Sequence, residues 1–225
     1  MTTISKKNLS FLKNLAKNNN RDWFNENKSE FKIHEKEAKV FFATVQEELR
    51  KSDDIESHKI MRIYRDVRFS KDKTPYKARF AGSFKRATAK LKGEYWLNIE
   101  PGQCMVGGGF YGPEPKDLMR IRKEFELDDS EIRDILNDSK FKTTFGELRG
   151  EELKTAPRGF DKTHPAIDLI KKKQFYVMKS FTDAEMISEN FVKQVVETFK
   201  ILRQFFDYMS DVLTTDLNGE SSIME

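Results

Sequence analysis

An apolar stripe of helical period lies at each end of this chain. Phe24, Phe31, Ala38, Phe42, Val45 and Leu49 form the first, with Lys and Glu filling the other positions. Phe191, Val195, Phe199, Leu202, Phe206, Met209 and Leu213 form the second. Between them stand two β-rich runs, Tyr95–Ile99 and Cys104–Tyr111, separated by Glu100-Pro101-Gly102-Gln103. A Pro-Gly pair between two such runs predicts a hairpin. The second stripe could form a coiled-coil seam, but helices that flank a meander more often lay such stripes on a sheet. The expected architecture is therefore α+β, a mostly antiparallel sheet packed against long N- and C-terminal helices.

The remaining signals fill in this frame. Leu9, Leu12, Leu15 and Ala16 predict a first helix that Asn18-Asn19-Asn20 ends. A second is expected from Asp22 to about Lys51, with Asp22 and Glu26 near its positive end. Phe80, Ser83 and Phe84 lie in an extended stretch. Leu118, Ile121, Arg122 and Phe125 predict a helix. Asp128-Asp129-Ser130-Glu131 resembles a cap opening another through Ile132, Ile135 and Leu136. Phe141 to Asp161 reads as irregular or as short elements, Ala166 to Lys172 as a short helix and Gln174 to Phe181 as a strand. Thr182-Asp183-Ala184-Glu185 has the form of a capping box opening the long C-terminal helix. With no repeat and no Gly/Ser/Pro-rich linker, one domain over residues 1–213 is expected, followed by a polar tail at 214–225.

Charged residues make up 35% of the chain, a high share, but 19 phenylalanines supply a core. No run approaches the ~20 apolar residues that cross a bilayer. The stretch from Met1 to Asn8 lacks the apolar segment of a secretory signal, so a soluble cytoplasmic protein is expected. One cysteine, Cys104, excludes an intrachain disulfide and a cysteine zinc cluster. The three histidines show no metal-ligand spacing, so a metal site would have to be built mainly from carboxylates; nothing local announces one, and no metal or other cofactor is expected.

The positive charge is concentrated in one place. From Arg62 to Arg79 there are seven basic side chains (Arg62, Arg65, Arg68, Lys71, Lys73, Lys77 and Arg79) and two acids, Asp66 and Asp72. The run thus carries about +5 while the whole chain carries only +4. Arginine presents a rigid donor fork suited to phosphate or carboxylate. The two aspartates can instead pair with the arginines.

The pattern Arg62-x-x-Arg65-Asp66-x-Arg68-Phe69-x-x-Asp72-Lys73-x-x-Tyr76 resembles the signature of the domain of unknown function 2461 family. Three further stretches are similar to that family. They are Asn19-Asn20-Arg21-Asp22-Trp23-Phe24 with Asn27-Lys28, then Gly107-Gly108-Gly109-Phe110 with Pro113, and Thr155-Ala156-Pro157-Arg158-Gly159-Phe160 with His164-Pro165. The resemblance runs from about Phe11 into the C-terminal helix. It implies a bacterial, cytoplasmic domain and brings no activity, cofactor or catalytic residue with it. Arg158 stands where lysine is more usual in the family, with the charge retained.

The residues leave three readings of the run. The first is a pocket for a small anionic, possibly phosphorylated, ligand. The second is a nucleic-acid surface, with Tyr64, Phe69, Tyr76 and Phe80 interleaved among the cations. The third is a structural ion-pair network within a protein-interaction domain. The anion site ranks first, and its candidate residues are Arg62, Arg65, Asp66, Arg68, Lys73, Tyr76, Lys77, Gly108, Arg158 and His164. Gly108 could bring a backbone N–H close to an anion, although a strand end that needs glycine is the commoner meaning. His164 has the side chain best suited to proton transfer near neutrality, and capping a helix is its commoner use. No nucleophile motif is present, and no catalytic residue is assigned. Neither enzyme activity nor oligomeric state follows from the sequence.

Overall fold

Ser5 starts the first helix by accepting the Asn8 N–H at 3.2 Å. This helix, α1 (Lys6–Lys17), buries Leu9, Leu12 and Leu15 and ends where the Asn18 amide donates back to the Asn14 carbonyl. The computed structural model to which it belongs describes residues 3–223. Met1 and Thr2, which open the N-terminal stretch considered above, lie outside the described residues, as do Met224 and Glu225 of the tail.

The helix expected from Asp22 to Lys51 is broken once, into α2 (Arg21–Glu26) and α3 (Lys28–Leu49). Asn27 makes the break. Its side-chain amide and its backbone N–H both donate to the Trp23 carbonyl, closing α2. The apolar stripe survives: Phe31, Ala38, Phe42, Val45 and Leu49 are all buried.

The sheet has five antiparallel strands in the order β1-β2-β3-β4-β5. They are β1 (Ile55–Ile60), β2 (Phe80–Arg86), β3 (Glu94–Ile99), β4 (Cys104–Phe110) and β5 (Phe175–Phe181). The architecture is α+β, with nine helices among the described residues. The hairpin around Pro101-Gly102 forms, and β5 pairs with β4. No apolar alternation announces β1. Only Ile55 of its six residues is buried, which suits an edge strand carrying charge.

Four helices lie between β4 and β5: α4 (Pro115–Leu127), α5 (Ser130–Asn137), α6 (Ser139–Phe145) and α7 (Ile167–Ile170). The cap expected at Asp128–Glu131 does not form as a box. Asp129 holds the N-cap position, but its carboxylate is engaged by Arg133 Nε at 2.6 Å. Helix α6 runs into the stretch expected to hold irregular or short elements, and its two anchors, Phe141 and Phe145, are both buried. The box at Thr182 does form, yet it opens only α8 (Asp183–Met186). The Ser188 hydroxyl and N–H both donate to the Glu185 carbonyl and end that turn. The long helix α9 (Phe191–Thr214) then starts separately.

Contacts divide the chain into two compact units. The first comprises residues up to Phe84, Trp96–Val106 and Ser180–Glu197. Its core is aromatic: Phe42 stacks on Phe84 and Phe41 on Phe191, with ring centres 5.7 and 5.5 Å apart. Asp183 accepts from Lys13 Nζ at 2.8 Å and from the Gly102 N–H at 2.7 Å, so it ties the hairpin turn to α1. The second unit comprises Lys85–Tyr95, Gly107–Lys179 and the chain from Thr198 on. There Tyr95 packs between Phe199 and Phe206, and Phe125 meets Phe175 edge-on. Arg86 is fully buried in this unit, paired with Asp207 and lying over the Phe206 ring. After α9 the tail turns back, with Thr215 bridging Ser221, and Arg120 donates to the Thr215 and Asp216 carbonyls.

Candidate functional site

The basic run is the loop between β1 and β2, and it belongs wholly to the first unit. Three backbone hydrogen bonds extend the hairpin into it. Met61 N–H donates to Ala81, Lys77 N–H to Ile63 and Arg65 N–H to Pro75, at 2.7, 2.8 and 2.8 Å. The arginines therefore ride on an irregular hairpin, neither a helix face nor a regular strand.

Tyr76 anchors the loop. Its ring is buried and stacks on Phe24 at 4.0 Å. Asn19 brackets its backbone, donating to the Tyr76 carbonyl at 2.9 Å and accepting the Tyr76 N–H at 3.0 Å. Two stretches of the resemblance, around Asn19 and around Tyr76, thus meet in space. Tyr76 is a packing residue of the site, with its hydroxyl pushed up first by burial.

The loop tip is braced by its own charges. Asp66 binds Arg68 through both carboxylate oxygens and also accepts the Arg68 N–H. These bonds hold the Asp66 carboxyl below its ordinary value. Asp72 accepts the N–H and the hydroxyl of Thr74, which lower it likewise, and it pairs with Arg65. Lys73 Nζ donates to the Val67 carbonyl at 2.9 Å. Asp66, Arg68 and Lys73 are therefore engaged in the loop itself.

Behind this tip lies a cleft of about 380 Å³, lined by Arg65, Ser70, Lys77, Ala78, Arg79 and Glu100. Three cations face it against one carboxylate. Lys77 is held below the ordinary lysine value, first by burial and then by Arg79, Arg62 and Arg65. Arg65 Nε is buried with no acceptor among the described residues. Glu100 is fixed at the rim, accepting from Asn98 Nδ2 at 3.2 Å and from Arg79 Nη1 at 3.5 Å. Of the sequence candidates, Arg65 and Lys77 line the cleft, and exposed Arg62 acts on Lys77 through its charge.

Arg79, Glu100 and Ser70 were not candidates. Arg79 stands in the run, and Glu100 could have been found as a charge ending an apolar strand just before a Pro-Gly turn. Nothing local marks Ser70.

Gly108, Arg158 and His164 belong to the second unit. A Cβ on Gly108 would lie 2.4 Å from the Glu94 carbonyl oxygen and 2.9 Å from the Phe206 ring. On Gly107 it would lie 2.0 Å from the Val177 oxygen of β5. Close packing accounts for these glycines. Arg158 is exposed on a turn. His164 Nδ1 accepts the Ala166 N–H at 3.1 Å, so its ring braces the turn ahead of α7.

Cys104 is buried, and that burial pushes its thiol up to about 12, beyond the range of a reactive thiolate. Among the described residues no cluster of His, Cys, Asp and Glu could hold a metal ion, and no helix is long and apolar enough to cross a membrane.

Comparison with known proteins agrees with the extent of the resemblance. The family model described as conserved hypothetical protein (DUF2461) matches residues 7–208. No curated protein and no solved structure matches the chain.

Proposed function

The chain belongs to the DUF2461 family of conserved hypothetical proteins, and since membership brings no ligand with it, we propose from the chemistry of the loop that it binds a small anionic ligand. The ligand sits in the β1–β2 cleft against Arg65, Lys77 and Arg79. The observation that carries this reading is the crowding of like charge around Lys77. A half-buried ammonium among three guanidinium groups, with its pKa driven down, is stabilised by an incoming anion. Arg65 adds a second cation to the wall of the same cleft. The volume lies at the lower end of the range for small-ligand sites. Asp66, Arg68, Asp72 and Lys73 hold the loop in shape, so the cleft is formed before the ligand arrives.

Thermal shift against inorganic phosphate tests this directly. A ligand at one hundred times its Kd stabilises the fold by about 2.7 kcal/mol. Wild type should gain that stability on titration, and Lys77→Met should need about tenfold more phosphate, the equivalent of ~1.4 kcal/mol. Identical responses from the two proteins would remove the cleft from consideration.

A further inference from the structure

Phe69 is 97% exposed, the most exposed large apolar side chain described. It directly precedes Ser70, which lines the cleft, so the two Cα atoms lie ~3.8 Å apart. A phenylalanine left in water forgoes the burial that stabilises its fellows. Its backbone lies in a braced stretch: the Asp66–Arg68 pair precedes it in the chain, and the Arg65–Asp72 pair and the Lys73–Val67 bond close the loop across its position. An aromatic ring on a braced cationic loop is a stacking platform.

We propose that the ligand of the cleft is a nucleoside phosphate, free or at the end of a nucleic-acid strand, with its phosphate against Arg65, Lys77 and Arg79 and its base on Phe69. This rests on the anion-binding reading above and deepens it. Glu100 gives the site an acceptor that a bare anion would not use. Fixed by Asn98, it takes a hydrogen bond from a sugar hydroxyl between phosphate and base. A simple carboxylate or phosphate engages only the cations. A nucleoside phosphate also engages the exposed ring and the rim carboxylate.

Calorimetric titration with adenosine monophosphate, ribose 5-phosphate and inorganic phosphate tests the assignment. Wild type should bind the nucleotide about tenfold more tightly than the sugar phosphate, within the range of one base–aromatic stack. Phe69→Ala should erase that preference, and because the side chain is almost wholly exposed its melting temperature should match wild type. A short single-stranded oligoadenylate with and without a 5′-phosphate separates the sources. Tighter binding of the phosphorylated strand than of the mononucleotide assigns the site to strand ends, and the reverse assigns it to free nucleotide. Equal binding of nucleotide and sugar phosphate, or a preference that survives Phe69→Ala, overturns the base contact and leaves the anion site standing. Failure of all three small ligands overturns the anion site itself.

Discussion

Lys77 is the residue on which the account turns, because its ammonium has been made less comfortable than a lysine in water. Burial and three neighbouring guanidinium groups disfavour its charged form. An anion reverses the balance, so binding raises the Lys77 pKa and takes up protons. Affinity should therefore be highest at neutral pH and fall as pH rises through the depressed value, below the ~10.4 of an ordinary lysine. Lys77→Arg, which stays charged throughout, should flatten that decline. A titration with sulfate, whose charge stays constant from pH 7 upward, reads both. At the other side of the loop, Asn19 satisfies both backbone groups of Tyr76. Asn19→Ala should cost about 1–3 kcal/mol of stability, seen in urea unfolding, because it strands a donor and an acceptor.

At the scale of elements, the glycines of β4 show how closely the chain packs. Gly107 has no room for a methyl group beside the Val177 carbonyl of β5. Gly107→Ala should destabilise the protein by about 3 kcal/mol or more, as overpacking against backbone does, and a thermal melt by circular dichroism would register it. The elements themselves were legible wherever a stripe or a turn pair marked them. The helical stripe of α3, the Pro101-Gly102 hairpin and β5 each carry a period or a punctuation mark of their own. The breaks were not legible. Asn27 and Ser188 end helices through one side chain bonded to one carbonyl, a choice that periodicity does not encode. Strand β1 was missed because five of its six residues are not buried and leave no apolar alternation.

Across the whole molecule, charge is partitioned, not spread. The loop from Arg62 to Arg79 supplies the entire positive excess of a chain whose remainder is close to neutral. Arg62 and Lys71 are exposed, so converting both to glutamine should leave the melting temperature nearly unchanged while weakening anion capture at low salt. That difference should shrink as sodium chloride is raised, since exposed charges are screened over a Debye length of ~8 Å at physiological ionic strength. The place of the candidate site was thus legible in the sequence as a charge excess. Its membership was only half legible. Sequence spacing ranked Arg68 and Lys73 with Arg65 and Lys77, but the hairpin turns the first two onto Asp66 and the Val67 carbonyl and the second two toward the cleft. Glu100 arrives from the far end of β3, more than twenty residues along the chain, which no local pattern could foretell. A crystal structure of the protein grown in saturating phosphate tests the central claim most directly. The account predicts a phosphate within about 3 Å of Lys77 Nζ and of the Arg65 or Arg79 guanidinium. Water alone between those side chains, under conditions where phosphate binds elsewhere on the protein, would contradict it.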